Sequence, residues 1–173
     1  MIRLLALCAL MIAAACSPNQ AGRCDFTHAR EIAFTGGASA DRVIVRTFGA
    51  SCDKAIGVYE IVDGEGAPIW AWATPLPRAF GDVFTAEAPE HVEAFLEEWS
   101  QPVIARTSAA PEHASLAPGQ TTLDEFTYAD IRARDLPMLC HFSGTATQTC
   151  VFWEPVAGGA GHLFERDVEE TVE

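Results

Sequence analysis

Cys140, His141, Ser143 and Cys150 share one short stretch, Leu139-Cys140-His141-Phe142-Ser143-Gly144-Thr145-Ala146-Thr147-Gln148-Thr149-Cys150-Val151-Phe152-Trp153. Residues of these types ligate zinc, pair a nucleophile with a base, or staple a hairpin. Zinc sites draw on ligands at short fixed spacings, and His28, His91, His113, His141 and His162 never fall two, three or four positions apart. Neither Cys-x-x-Cys nor His-Glu-x-x-His occurs. Nucleophilic chemistry lacks its usual Gly-x-Ser-x-Gly elbow, and Lys54 is the single lysine. Gly64-Glu65-Gly66 lacks the rest of a dinucleotide fingerprint, and Gly158-Gly159-Ala160-Gly161 lacks the Lys-Ser/Thr of a phosphate loop. The expectation is therefore no catalytic residue, no metal and no cofactor. Carboxylates are abundant enough to leave one alternative open, an envelope hydrolase built on a glycosidase-like pair of acids.

A stapled hairpin accounts for the stretch best. Cys140 and Cys150 face each other across a turn centred on Thr145, and the same ladder sets Phe142 opposite Gln148. Facing positions lie close enough for a disulfide. His141 and Thr149 then project from the other face. The tip, residues 143–147, is a candidate binding element, with Ser143, Gly144 and Thr145 at its centre and Trp153 farther along the return strand.

Two elements carry the rest of the chemistry, the N-terminus and an acidic helix. Residues 1–15 read as Met1-Ile2-Arg3 followed by an unbroken apolar run, which fits a secretory signal and is too short to span a bilayer. The run ends Ala13-Ala14-Ala15-Cys16-Ser17, which resembles the lipobox of bacterial lipoproteins. That resemblance implies lipidation of Cys16, a tether over residues 16–23, attachment to the cell envelope facing the periplasm and, with Ser17 next, sorting to the outer membrane. The rival reading is cleavage after Ala13-Ala14-Ala15, which releases a soluble periplasmic or secreted protein. With Cys8 in the signal and Cys16 taking the lipid, four of the six cysteines remain, and three pairings are open to them. Proximity favours Cys24 with Cys52 and Cys140 with Cys150, as an oxidising compartment allows.

Charge narrows the partners. Eleven Lys and Arg against twenty-four Asp and Glu give −13 over 173 residues. Nucleic acid is excluded on that balance, because binding a polyanion relies on clustered cations. A basic protein or another cell-envelope component is the expected partner. Pro89 opens a helix over residues 89–100, in which Val92, Phe95, Leu96 and Trp99 recur on one face. Its other face carries Glu90, Glu93 and Glu97, with Glu87 before it and Glu98 at its flank, and no cation within it. These acids are either a solvated face or a contact face for a cationic partner.

The remaining elements predict an α+β fold, mainly an antiparallel sheet built from hairpins with one or two packed helices. One globular domain over residues 24–173 is expected, with residues 101–120 as a proline-rich loop or boundary containing a short strand at Val103-Ile104-Ala105-Arg106. A first hairpin joins residues 24–34 to 42–48 through Gly36-Gly37, with Ile32 opposite Ile44 and Cys24 thereby opposite Cys52. A second joins residues 55–62 to 67–73, with Trp70 and Trp72 on one face and Pro68 at a strand start or sheet edge. Thr122-Leu123-Asp124-Glu125 fits a capping box for a helix over residues 123–134. A glycine loop over residues 158–161, a last strand at His162-Leu163-Phe164 and an acidic tail complete the chain.

Ser143-Gly144 with Phe152-Trp153 farther on resembles the inhibitory hairpin of membrane-bound bacterial lysozyme inhibitors, which are small disulfide-bonded lipoproteins. Thr147 stands where that family carries tyrosine, and Glu154-Pro155 where it carries a polar-Lys-Gly sequence. The resemblance implies a lysozyme-inhibitor-like protein. The residues themselves favour a non-catalytic envelope lipoprotein that acts as a binding or accessory module.

Overall fold

In the first hairpin, burial and a single carboxylate override the turn read from glycine. The computed structural model describes residues 23–84 and 89–168; the expected leader, Cys16, the expected tether as far as Gly22, Glu87 and the tail from Glu169 lie outside the described residues. β1 (Thr27–Ile32) pairs antiparallel with β2 (Asp41–Phe48), and Ile32 faces Asp41 rather than Ile44. Asp41 is buried, and its carboxylate accepts the backbone N–H groups of Phe34 and Thr35 at 2.9 and 2.6 Å and the Thr35 hydroxyl at 2.8 Å. A buried carboxylate needs such donors, and meeting them draws the return strand three residues earlier than Gly36-Gly37 suggests. An odd shift exchanges faces, so Val43 and Val45 point inward and Ile44 outward. Cys24 accordingly bridges Gly49, and Cys52 reaches it from a short 3-10 turn, Cys52–Lys54. The Cys24–Cys52 disulfide forms as expected, with a Cα separation of 4.8 Å, by a different route from the one the turn implied.

The second hairpin follows its turn chemistry. β3 (Ile56–Val62) and β4 (Pro68–Pro75) close on a loop in which Asp63 accepts the N–H groups of Glu65 and Ala67 and Gly66 takes a φ of 89°. Sheet 1 runs β1-β2-β3-β4, which makes Pro68 the first residue of an edge strand. One face of this sheet carries the core: Val43, Val45, Tyr59, Ile61 and Ile69 belong to one core cluster, with Trp70 and Trp72 packed against it.

A short helix, α1 (Leu76–Phe80), and a 3-10 turn, Gly81–Phe84, lead toward α2 (Pro89–Trp99). The predicted stripe docks as its spacing requires. Val92, Leu96 and Trp99 are buried, Phe95 is half-buried, and the helix lies against β1 and β2.

Sheet 2 contains β5 (Val103–Arg106), β6 (Pro137–Phe142), β7 (Thr147–Glu154) and β8 (Gly159–Asp167), in that order and all antiparallel. Residues 101–120 thus contribute an edge strand and two 3-10 turns, with Thr107 and Ala110 buried. The helix before β6, α3 (Glu125–Ala133), is capped by Asp124, whose carboxylate accepts the Thr127 N–H at 2.9 Å. The expected box on Thr122 does not form, because Thr121 and the approach to α3 are tied to β8 through the Leu163 carbonyl. The expected glycine loop is also corrected: Gly159 and Gly161 lie within β8. A Cβ on Gly161 would stand 2.9 Å from the Phe152 ring, so glycine here makes room for an aromatic side chain.

The fold is α+β, with two four-stranded antiparallel sheets and helices between and beside them. Strand alternation in sheet 2 feeds two cores. Leu139 and Val151 join the cluster on sheet 1, whereas Met138, Cys140, Cys150 and Phe152 pack with Tyr128 and Ile131 of α3. Each large apolar side chain so buried contributes about 1.5–3 kcal/mol, which makes sheet 2 the layer that ties the molecule together.

Candidate functional site

Cys140 and Cys150 are disulfide-bonded and directly opposite in the β6–β7 ladder, with Phe142 opposite Gln148, as the spacing predicted. The same alternation turns His141 inward. His141 is buried, and its ring stacks on Tyr59 with centroids 4.1 Å apart and planes 13° apart, while Trp72 lies 5.7 Å away. Its Nδ1 lies 3.0 Å from the Phe142 carbonyl, which only accepts, so Nδ1 carries the proton. Nε2 and the Tyr59 hydroxyl are buried without a hydrogen-bond partner among the described residues. Desolvation drives the His141 pKa down to about 4, against a smaller upward pull from the Phe142 carbonyl. His141 is thus a neutral core residue at physiological pH.

The hairpin tip is docked onto α1. Thr145 donates its N–H to the Ala79 carbonyl at 3.1 Å, and a Cβ on Gly144 would come within 3.3 Å of that same oxygen. Trp99 ties the base of the tip from the other side, donating Nε1–H to the Phe142 carbonyl at 2.8 Å. Gly144 is consequently buried, Ser143 half-buried and Thr145 exposed. Trp153 stands toward the other end of β7, opposite Ala160, and packs against the core of sheet 1. The structure therefore separates Trp153 from Ser143, Gly144 and Thr145.

What it brings together is α2 with its two flanks. On the β1 side, Glu93 and Glu97 line a groove of about 560 Å³ with Asp25, Phe26 and His28. On the other side, Phe80, Phe95, Trp99 and Phe142 wall a pocket of about 230 Å³, with Glu98, Gly144 and Thr145 at its margin. Phe80 meets Phe95 at 4.9 Å and Trp99 at 5.5 Å between centroids, both edge to face, so the walls hold one another in place. The backbone of Glu90 belongs to α2, and its side chain lies outside the described residues.

That Asp25, His28 and Phe80 lie beside α2 was not legible in the sequence, because they reach the helix only through tertiary packing; Phe95, Trp99 and Glu98 were visible in the helical spacing. Among the described residues, the ion pairs Arg46–Glu60, Arg106–Asp135, Arg132–Glu112 and Arg134–Glu154 leave Glu93, Glu97 and Glu98 unpaired. One cation does approach the helix end: Arg30 Nε bonds Ser100 Oγ at 3.3 Å, placing a positive charge where the helix dipole is negative. No three His, Cys, Asp or Glu side chains among the described residues converge closely enough to hold a metal ion. Chemically, the arrangement suits cations on one flank of α2 and apolar or aromatic groups on the other. Comparison with protein-family models, curated proteins and solved structures finds no match.

Proposed function

We propose that this chain is a lipid-anchored cell-envelope protein, held at the outer membrane through Cys16, whose folded part binds a basic partner through α2 and catalyses nothing itself. The observation that carries the reading is the groove in which Glu93 and Glu97 of α2 meet Asp25 of the chain before β1. Like charges on one helix repel by a few tenths of a kcal/mol per pair, and a cationic partner relieves that cost. The two disulfides are compatible with export, which supports the envelope setting. Affinity capture from envelope extract tests the reading. The wild-type chain should retain a basic protein that Glu93→Gln/Glu97→Gln loses, and an identical captured set would contradict it.

The same groove also supports a second reading, a hydrolase using two of its carboxylates. In that case the purified chain releases reducing sugar from cell-wall glycan, and Glu93→Gln or Glu97→Gln abolishes the release. The resemblance to lysozyme inhibitors is tested separately, by adding the full chain to a lysozyme assay; unchanged lysis at micromolar protein ends that idea.

A further inference from the structure

An antiparallel sheet with one face in water normally carries polar side chains on that face. Sheet 1 departs from that rule toward one end, beyond Glu31, Arg42 and Glu60. Its outer face presents Ile44, Phe48, Ile56, Val58, Ala73 and Pro75, and Phe48 and Ile56 are each 47% exposed. The register makes them one surface: Phe48 pairs with Ile56 and Ile56 with Pro75, and in a second row Arg46 pairs with Val58 and Val58 with Ala73.

The position of this surface is informative. Cys24, where the tether joins the fold, bridges Gly49, next to Phe48. Seven residues separate Cys16 from Cys24, and a chain of that length reaches at most about 25 Å. If Cys16 carries lipid, the Phe48–Ile56 end of the sheet stays within about that distance of the bilayer.

Charge points the same way. Over the outer face Arg42 and Arg46 balance Glu31 and Glu60, although the whole chain carries −13, so the acid surplus lies elsewhere. Lys54, the single lysine, stands in the 3-10 turn beside Ile56. A face of no net charge, apolar at its Phe48–Ile56 end and with a lysine at its edge, can approach anionic headgroups that would repel α2.

We propose that the outer face of sheet 1 rests on the bilayer surface, with Phe48 and Ile56 inserted among the headgroups, which turns α2 away from the membrane. This rests on lipidation at Cys16 and adds an orientation to it. Interfacial apolar side chains reach about 5–10 Å into the headgroup and acyl boundary, within range of quenchers carried on the acyl chains.

The test reconstitutes the full lipidated chain into phosphatidylethanolamine/phosphatidylglycerol vesicles whose acyl chains are brominated, and compares wild type with Phe48→Trp and Phe126→Trp. Phe126, in α3, is 84% exposed and lies on a different layer. The expected result is loss of most of the fluorescence that Phe48→Trp adds and no loss of that added by Phe126→Trp. Flotation of the wild-type chain with the vesicles reads the anchor independently. A chain that floats while Phe48→Trp stays unquenched overturns the orientation and leaves the anchor standing; a chain that does not float overturns both. Unquenched fluorescence together with a dimer that Phe48→Asp dissociates would assign the face to a second copy and likewise overturn the proposal.

Discussion

Among single residues, His141 shows how location changes chemistry. Beside Cys140 it has the look of a ligand or base; inside the fold it is a neutral ring stacked on Tyr59, with Nε2 unpaired among the described residues. Its folded pKa, about 4, lies below the ordinary value of 6.5, so between those values the unfolded chain binds the proton and the folded chain does not. Its contribution is therefore complete above about pH 6.5 and is lost as pH falls toward 4, by about 3 kcal/mol in all. His141→Phe keeps an aromatic ring in the stack and removes the titrating group. Denaturant unfolding at pH 7 and pH 4 should show wild type losing about 3 kcal/mol more than the variant. Equal losses in the two proteins would mean that His141 is not the buried base described.

Between elements, the sequence was most legible where a short turn sets the ladder. Cys140 and Cys150 are separated by ten positions, and that spacing favoured their pairing and put His141 on the face away from the disulfide; that this face is buried against Tyr59 follows only from tertiary packing. The β1–β2 hairpin was not legible in the same way, because its register depends on a buried carboxylate satisfied by two backbone N–H groups, which no spacing rule shows. The start of α3 teaches a similar lesson. Asp124 and Thr122 are both suitable caps, and tertiary ties at Thr121 select Asp124. Hydrogen bonding to Thr127 holds the Asp124 carboxyl below its usual pKa. Asp124→Ala should lower the melting temperature by about 2–4 °C and Thr122→Ala should leave it unchanged, as calorimetry can read. A larger effect from Thr122→Ala would restore the box expected from sequence.

At the scale of the whole molecule, the chain divides its surface by charge. Helix α2 carries four acids, Glu90, Glu93, Glu97 and Glu98, and no Lys or Arg, whereas the outer face of sheet 1 balances its charges and ends in the apolar Phe48–Ile56 pair near Cys24. The sites on both sides of α2 were only half legible: the helix and its acids follow from periodicity, while Asp25, His28 and Phe80 come from elsewhere in the chain. Lipidation at Cys16 is checked by fractionation. Cys16→Ala should move the protein to the soluble fraction, and unchanged membrane association would refute the anchor. The central claim is that α2 binds a basic partner by charge. Calorimetric titration of the captured partner into wild type and Glu93→Gln/Glu97→Gln/Glu98→Gln, at low and high salt, tests it most directly. The account predicts that the variant binds about tenfold or more weakly at low salt and that the difference shrinks at high salt; equal affinity for both proteins at both salts would contradict it.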